Sequence, residues 1–200
     1  MPSGVEISNN ALAMIGANSI ASFYDNTKEA REAYRQYDLC RKAVLRMHPW
    51  TFAVRRETLT TLGATPAFDY SHRLIVPYDF LRLLTILEDT AYRLEGFQLY
   101  PTIVCNCEEL NIKYVANVDD TDQFDPLFAE ALAAYMAWKM SYKLSQSESN
   151  RDELYKAYYN LARQAKYVGA TENPPGSVEA NQWVNSRIEP NQGFVRDPQT

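Results

Sequence analysis

Histidine, cysteine and glycine are all sparse in this chain of 200 residues, and each scarcity removes a kind of chemistry. The 7 glycines stand singly, so no run of them forms a phosphate-cradling loop. Neither a G-x-S-x-G elbow nor an H-E-x-x-H helix occurs. The 2 histidines, His48 and His72, have no acidic partner at a catalytic spacing. His48 precedes Pro49 at a helix end, where a cationic imidazole would suit the helix dipole. Both histidines are expected to be structural. The 3 cysteines, Cys40, Cys105 and Cys107, make an odd set with no disulfide framework, which suits a reducing cytosol. Cys105 and Cys107 flank only Asn106, and there is no second pair to complete a zinc site. No catalytic residue, no cofactor and no metal is therefore expected.

Other absences concern partners. No charged-then-apolar leader opens the sequence, and no apolar run is long enough to span a bilayer, so no membrane role is expected and synthesis is placed in the cytoplasm. Positive charge is not in excess: 20 Lys and Arg face 25 Asp and Glu, a formal net charge of -5. A protein that grips nucleic acid must replace phosphate counterions, which this balance disfavours. It does not disfavour a wall along which DNA slides without sticking. The cluster Asp119, Asp120, Asp122 and Asp125 lacks the glycine and distal glutamate of a calcium loop, and reads as a solvated helix entrance.

What is present is tyrosine, 14 of them. Tyrosine suits surfaces half apolar and half wet, as in the centre of an interface; equally, the sequence is simply tyrosine-rich. The length supports one domain with a core.

Hydrophobic spacing predicts helices over about 4–16, 27–47, 125–145 and 151–168. Ser3 with Glu6, Thr27 and Asp125 stand at the capping positions, and Pro126 suits a first turn. Trp50, Phe52 and Val54 alternate with polar neighbours and predict a strand. Short β runs follow at 73–76, 81–87, 92–95, 98–104 and 111–116, broken by Gly96 and Pro101. They are too close together for helical crossovers, so an antiparallel meander of hairpins is expected over about 50–118. Pro77-Tyr78-Asp79 reads as a turn capped by Asp79. The last two helices, joined by a polar turn, should be antiparallel neighbours.

The expected fold class is thus α+β, mainly α: a helical bundle with an inserted small antiparallel β region over 1–170, and an extended C-terminal arm over 171–200. The arm is rich in proline, Asn and Gln, yet carries Trp183, Val184, Ile188, Phe194 and Val195. These read as anchors held by a partner or a neighbouring subunit; the alternative is an arm folded back over its own helices.

Several runs carry a resemblance. "NNALAMIGANSIASF" is followed by "AREAYRQYDLCRKAVLRMHPWTFAVRR", then "YSHRLIVPYDFLRLL", "NIKYVANVDDTDQFDPLFAEALAAYMAWKMSYKLS" and "YKAYYNLARQAKYV". Together they resemble the tail tubular protein A family of podophages and related prophages, over about residues 4–168. The most specific parts are C-R-x-x-V-L-x-x-H-P-W-x-F-A from Cys40 to Ala53, Pro77-x-Asp79 with Leu81 and Arg82, and F-D-P-L-F-x-x-A-L from Phe124 to Leu132. The resemblance implies a head-to-tail adaptor in the virion neck, forming a ring, usually dodecameric. Such a ring sits between the portal protein and a tail nozzle (a tail tubular protein B-like subunit), and DNA passes through it without specific binding. In this reading His48-Pro49-Trp50 turns the chain from helix to β region, and Trp50 and Phe52 pin that junction by burial. A small helical protein-binding or regulatory module outside the virion is the alternative.

Overall fold

The computed structural model describes residues 2–63, 65–97, 100–144 and 148–172. Among these residues there are four α-helices: α1 (Gly4–Met14), α2 (Lys28–Met47), α3 (Pro126–Leu144) and α4 (Glu148–Glu172). Six strands lie between α2 and α3: β1 (Val54–Thr60), β2 (His72–Ile75), β3 (Phe80–Ile86), β4 (Tyr92–Phe97), β5 (Tyr100–Cys105) and β6 (Glu109–Ala116).

The helices begin where side-chain oxygens meet free N–H groups. Ser3 Oγ accepts from the Glu6 N–H at 3.2 Å, and the Glu6 carboxylate accepts from the Ser3 N–H at 2.7 Å. The Thr27 hydroxyl accepts from the Ala30 N–H, and the Asp125 carboxylate from the Leu127 N–H. After α1 the chain turns at Gly16, whose φ of +70° favours glycine. The loop that follows is tied down by Asn9, whose amide donates to the Ile20 carbonyl and accepts from its N–H.

α3 is the centre of the helical part. Phe128, Ala131, Leu132, Ala134, Met136, Ala137 and Met140 are fully buried, because α1, α2 and α4 all pack on it. A helix so covered needs apolar residues on every side, and its alanines let the neighbours approach closely. The Tyr135–Tyr158 and Trp138–Tyr155 ring contacts show α3 and α4 running antiparallel.

The β strands form two three-stranded antiparallel sheets, β1-β6-β3 and β2-β5-β4, joined by one bridge between Thr61 and Leu74. The expectation of a helical bundle with a small β region is therefore corrected. Some 48% of the described chain is helical and 24% is strand, a mixed α and β fold. The sheets own a substantial share of the core, with Leu59, Leu74, Ile103, Val104, Leu110 and Ile112 buried. One apolar cluster runs from α1 through α3 into both sheets.

The expected meander is corrected too. β6, last in sequence, lies in the middle of its sheet, paired with β1 and β3. Only β4 and β5 are sequential ladder partners. Gly96 and Pro101 do not separate strands but face one another in that ladder. Pro101 stands one place beyond Thr102, the last β5 residue paired with β2, so it has no N–H to lose on that side.

Trp50 to Ala53 is not a strand. Thr51–Ala53 is a single 3-10 turn, closed by the Ala53 N–H donating to the Trp50 carbonyl at 2.9 Å. Trp50 and Phe52 both turn into the helical core, and the strand starts only at Val54. α4 extends over Thr171 and Glu172, the first two residues of the expected arm. Trp183, Val184, Ile188, Phe194 and Val195 lie outside the described residues.

Candidate docking surface at the helix–sheet junction

The junction is built by aromatic packing around Pro49. His48 closes α2 with extended backbone, the geometry a following proline imposes. The Trp50 indole N–H then donates back to the Val44 carbonyl at 3.1 Å. Its ring stands edge-on to His48 at 5.1 Å and to Phe128 at 5.0 Å. Phe52 packs on Phe124, just before α3, and on Phe128 in its first turn. So the Cys40–Ala53 run and the Phe124–Leu132 run, 71 residues apart at their near ends (Ala53 and Phe124), meet in one aromatic knot.

α4 reaches the same place from the other side. A Cβ added to Gly169 would lie 3.3 Å from His48 Nε2, so only glycine sits there without pressing on the imidazole. The Tyr158 hydroxyl donates to Met47 Sδ at 2.7 Å. Burial, then the nearby Lys166 and Arg82 cations, hold the His48 pKa below its ordinary value. Both effects disfavour the cationic form that a helix C-terminus alone would favour.

Three grooves converge on His48. One, of about 380 Å³, runs between α2, α3 and α4 and is lined by Tyr135, Trp138, Tyr155 and Tyr158. A second, of about 400 Å³, faces Phe124, Pro126 and Leu127. The third, of about 540 Å³, lies between α4 and the β1-β6-β3 sheet and carries Arg56, Lys113 and Lys166.

Pro77 and Asp79 lead into β3, and Asp79 lies against Arg55 of β1 and Tyr114 of β6. The Pro77 carbonyl accepts from the Phe80 N–H at 3.1 Å, closing the expected turn. Asp79, however, does not cap it. Its buried carboxylate accepts from Arg55 at 2.6 Å and from the Tyr114 hydroxyl at 3.1 Å. Tyr114 also lies 3.3 Å from Glu57, and Phe80 stacks on its ring. Burial, reinforced by Asp79 and Glu57, raises the Tyr114 pKa, so the phenol keeps its proton and donates it. Asp79 thus binds β1, β6 and the start of β3 together.

Sequence reasoning missed Arg41, which ties α2 to the end of β6. Its guanidinium donates to Asn117 Oδ1 at 2.9 Å, to the Val118 carbonyl and to Asp38. The signal was present: Arg41 shares a helix side with Tyr37, Val44 and Leu45, and a cation on an apolar face requires partners. Among the described residues, no group of three or more His, Cys, Asp or Glu converges as a metal site. Cys40 is buried, and desolvation pushes its pKa up to about 12. Among the described residues, no helix is long and apolar enough to cross a membrane.

No family model matches this chain, and no curated protein matches it.

Proposed function

We propose that this chain is a structural head-to-tail adaptor of a tailed phage. In this reading copies form a ring, usually of twelve, in the virion neck between the portal and the tail nozzle, and DNA passes through the middle. The sequence resemblance over 4–168 names the role.

The observation that carries it is α4. Of its described side chains only Leu154, Tyr158 and Ala165 are buried, while Tyr155, Tyr159 and Tyr167 stand exposed along it. A helix of 25 residues that packs chiefly on α3 leaves a long semi-aromatic face over. Exposed tyrosine on a rigid wall is what an assembling subunit presents to neighbours. The aromatic knot at His48-Pro49-Trp50 and the Asp79 clamp make that wall stiff.

Mixing the purified chain with portal rings from the same genome tests the proposal. Co-sedimentation with the portal, and added density on one portal face in electron micrographs, is expected. A chain that stays free and monomeric beside intact portal rings would overturn it.

A further inference from the structure

The groove between α4 and the β1-β6-β3 sheet is cationic in a chain whose formal net charge is -5. Arg56 and Lys113 are direct cross-strand partners, a like-charge pair that weakens a sheet. Lys166 joins them from α4 across the groove. None of the three forms an ion pair with a described residue. Their positive charge is therefore left facing outward.

The other end of the same sheet is acidic. Glu88 and Asp89 follow β3, and Glu108 and Glu109 lead into β6; Asp89, Glu108 and Glu109 are exposed. The two turns are locked together. Leu87 N–H donates to the Asn111 carbonyl at 3.0 Å, and the Glu88 carboxylate accepts from the Asn111 N–H and side-chain amide. Glu88, Asp89, Glu108 and Glu109 form no ion pair with described residues either, and Arg73 at that end is held by Glu95 at 3.8 Å.

The exposed carboxylates of the acidic end stand apart from the groove, and Glu88, which lies nearer Lys113, is taken up by Asn111. From Glu109 to Lys113 the strand advances roughly 13 Å, at about 3.3 Å per residue. That exceeds the screening length of about 8 Å at physiological salt. A subunit with complementary charge on two separate surfaces is equipped for a head-to-tail contact, in which each copy uses a different face toward each neighbour.

We infer that the acidic end of the β region of one copy docks into the cationic groove beside His48 of the next. This rests on the ring reading above, and it names the surfaces through which the ring is built. A nucleic-acid strand is the weaker fit: three groove cations replace few counterions, and the net negative charge repels a polyanion at long range.

The test uses the full-length chain, in sedimentation velocity at low and high salt. Wild type should self-associate at low salt and dissociate at high salt. Lys113→Glu with Lys166→Glu should abolish association, and so should Glu108→Lys with Glu109→Lys. A mixture of the two double variants should associate again, through alternating copies. Lys113→Gln with Lys166→Gln, matched to wild type by thermal melting, guards against misfolding and should weaken association as well. Wild type that stays monomeric, or that stops at a closed dimer, overturns the inference. So does a groove variant that loses duplex DNA binding but keeps self-association. If rings still form on the portal with both surfaces reversed, this interface is wrong while the adaptor reading stands. If wild type neither self-associates nor joins the portal, both fail.

Discussion

Asp79 and Arg55 meet at 2.6 Å across the base of the first sheet, the carboxylate buried and the guanidinium half in solvent. The pair closes a loop of contacts through Tyr114 that joins three strands. Removing the buried partner leaves Arg55 without its acceptor and the Tyr114 hydroxyl with Glu57 alone at 3.3 Å. Asp79→Ala should destabilise the fold by about 2–4 kcal/mol in urea unfolding. Tyr114→Phe, which deletes one hydroxyl and keeps the ring on Phe80, should cost only about 1 kcal/mol. Equal losses for the two variants would show that the carboxylate is not the hub.

Arg41 is a second joint, and its geometry demands a fork. One guanidinium serves Asn117, Val118 and Asp38 at once. Arg41→Ala should cost about 3 kcal/mol or more, and Arg41→Lys should recover less than half of it, since an ammonium cannot span three partners in those directions. Denaturant midpoints of the two variants check this.

His48 gives the fold a pH dependence of known sign. Its folded pKa lies below the ordinary value of 6.5, so the unfolded chain binds the proton more readily. Stability from this group is complete above that ordinary value and falls as pH drops through and below it. His48→Gln should flatten that part of the stability curve in thermal melts between about pH 7 and pH 5. A curve as steep as that of wild type would assign the dependence to carboxylates instead.

Thiol reactivity should divide by burial. Cys40, held as a thiol by desolvation with a pKa pushed to about 12, should resist brief alkylation of the native protein. Cys107, which is partly exposed, should react first, with Cys40 modified only on unfolding. Peptide mapping by mass spectrometry reads the order directly.

How much of this could be read from the sequence follows from the range of each interaction. Helix starts at Ser3, Thr27 and Asp125 are local, because the capping oxygen and the N–H groups it serves lie two or three residues apart. The helix-to-sheet turn at His48-Pro49 is local for the same reason. Strand partners are not. The pairing of Arg56 with Lys113 joins residues far apart in the chain, and alternation tells which face a side chain takes but not which strand lies beside it. The true weight of the β region was hidden for that reason, since two sheets bury more than isolated hairpins do. Trp50 and Phe52 imitate a strand because two aromatic residues spaced by one also reach a common core from a tight turn. Asp79 was legible as a turn residue only; its acceptor role depends on Arg55 and Tyr114, which no spacing announces. The cationic groove was hidden in a net charge of -5, because composition does not report where charges gather.

The arm offers a test of its own. If Trp183 and Phe194 anchor it to the portal, Trp183→Ala and Phe194→Ala should each weaken portal attachment by about 2 kcal/mol without changing the melting temperature. Unchanged attachment in both would remove the arm from the portal contact.

Electron microscopy of this chain bound to portal rings from the same genome puts the central claim to the most direct test. The account predicts a closed ring of copies, twelve in number, stacked on one face of the portal around an open channel. Portal rings that remain bare at saturating concentrations of the chain would contradict it.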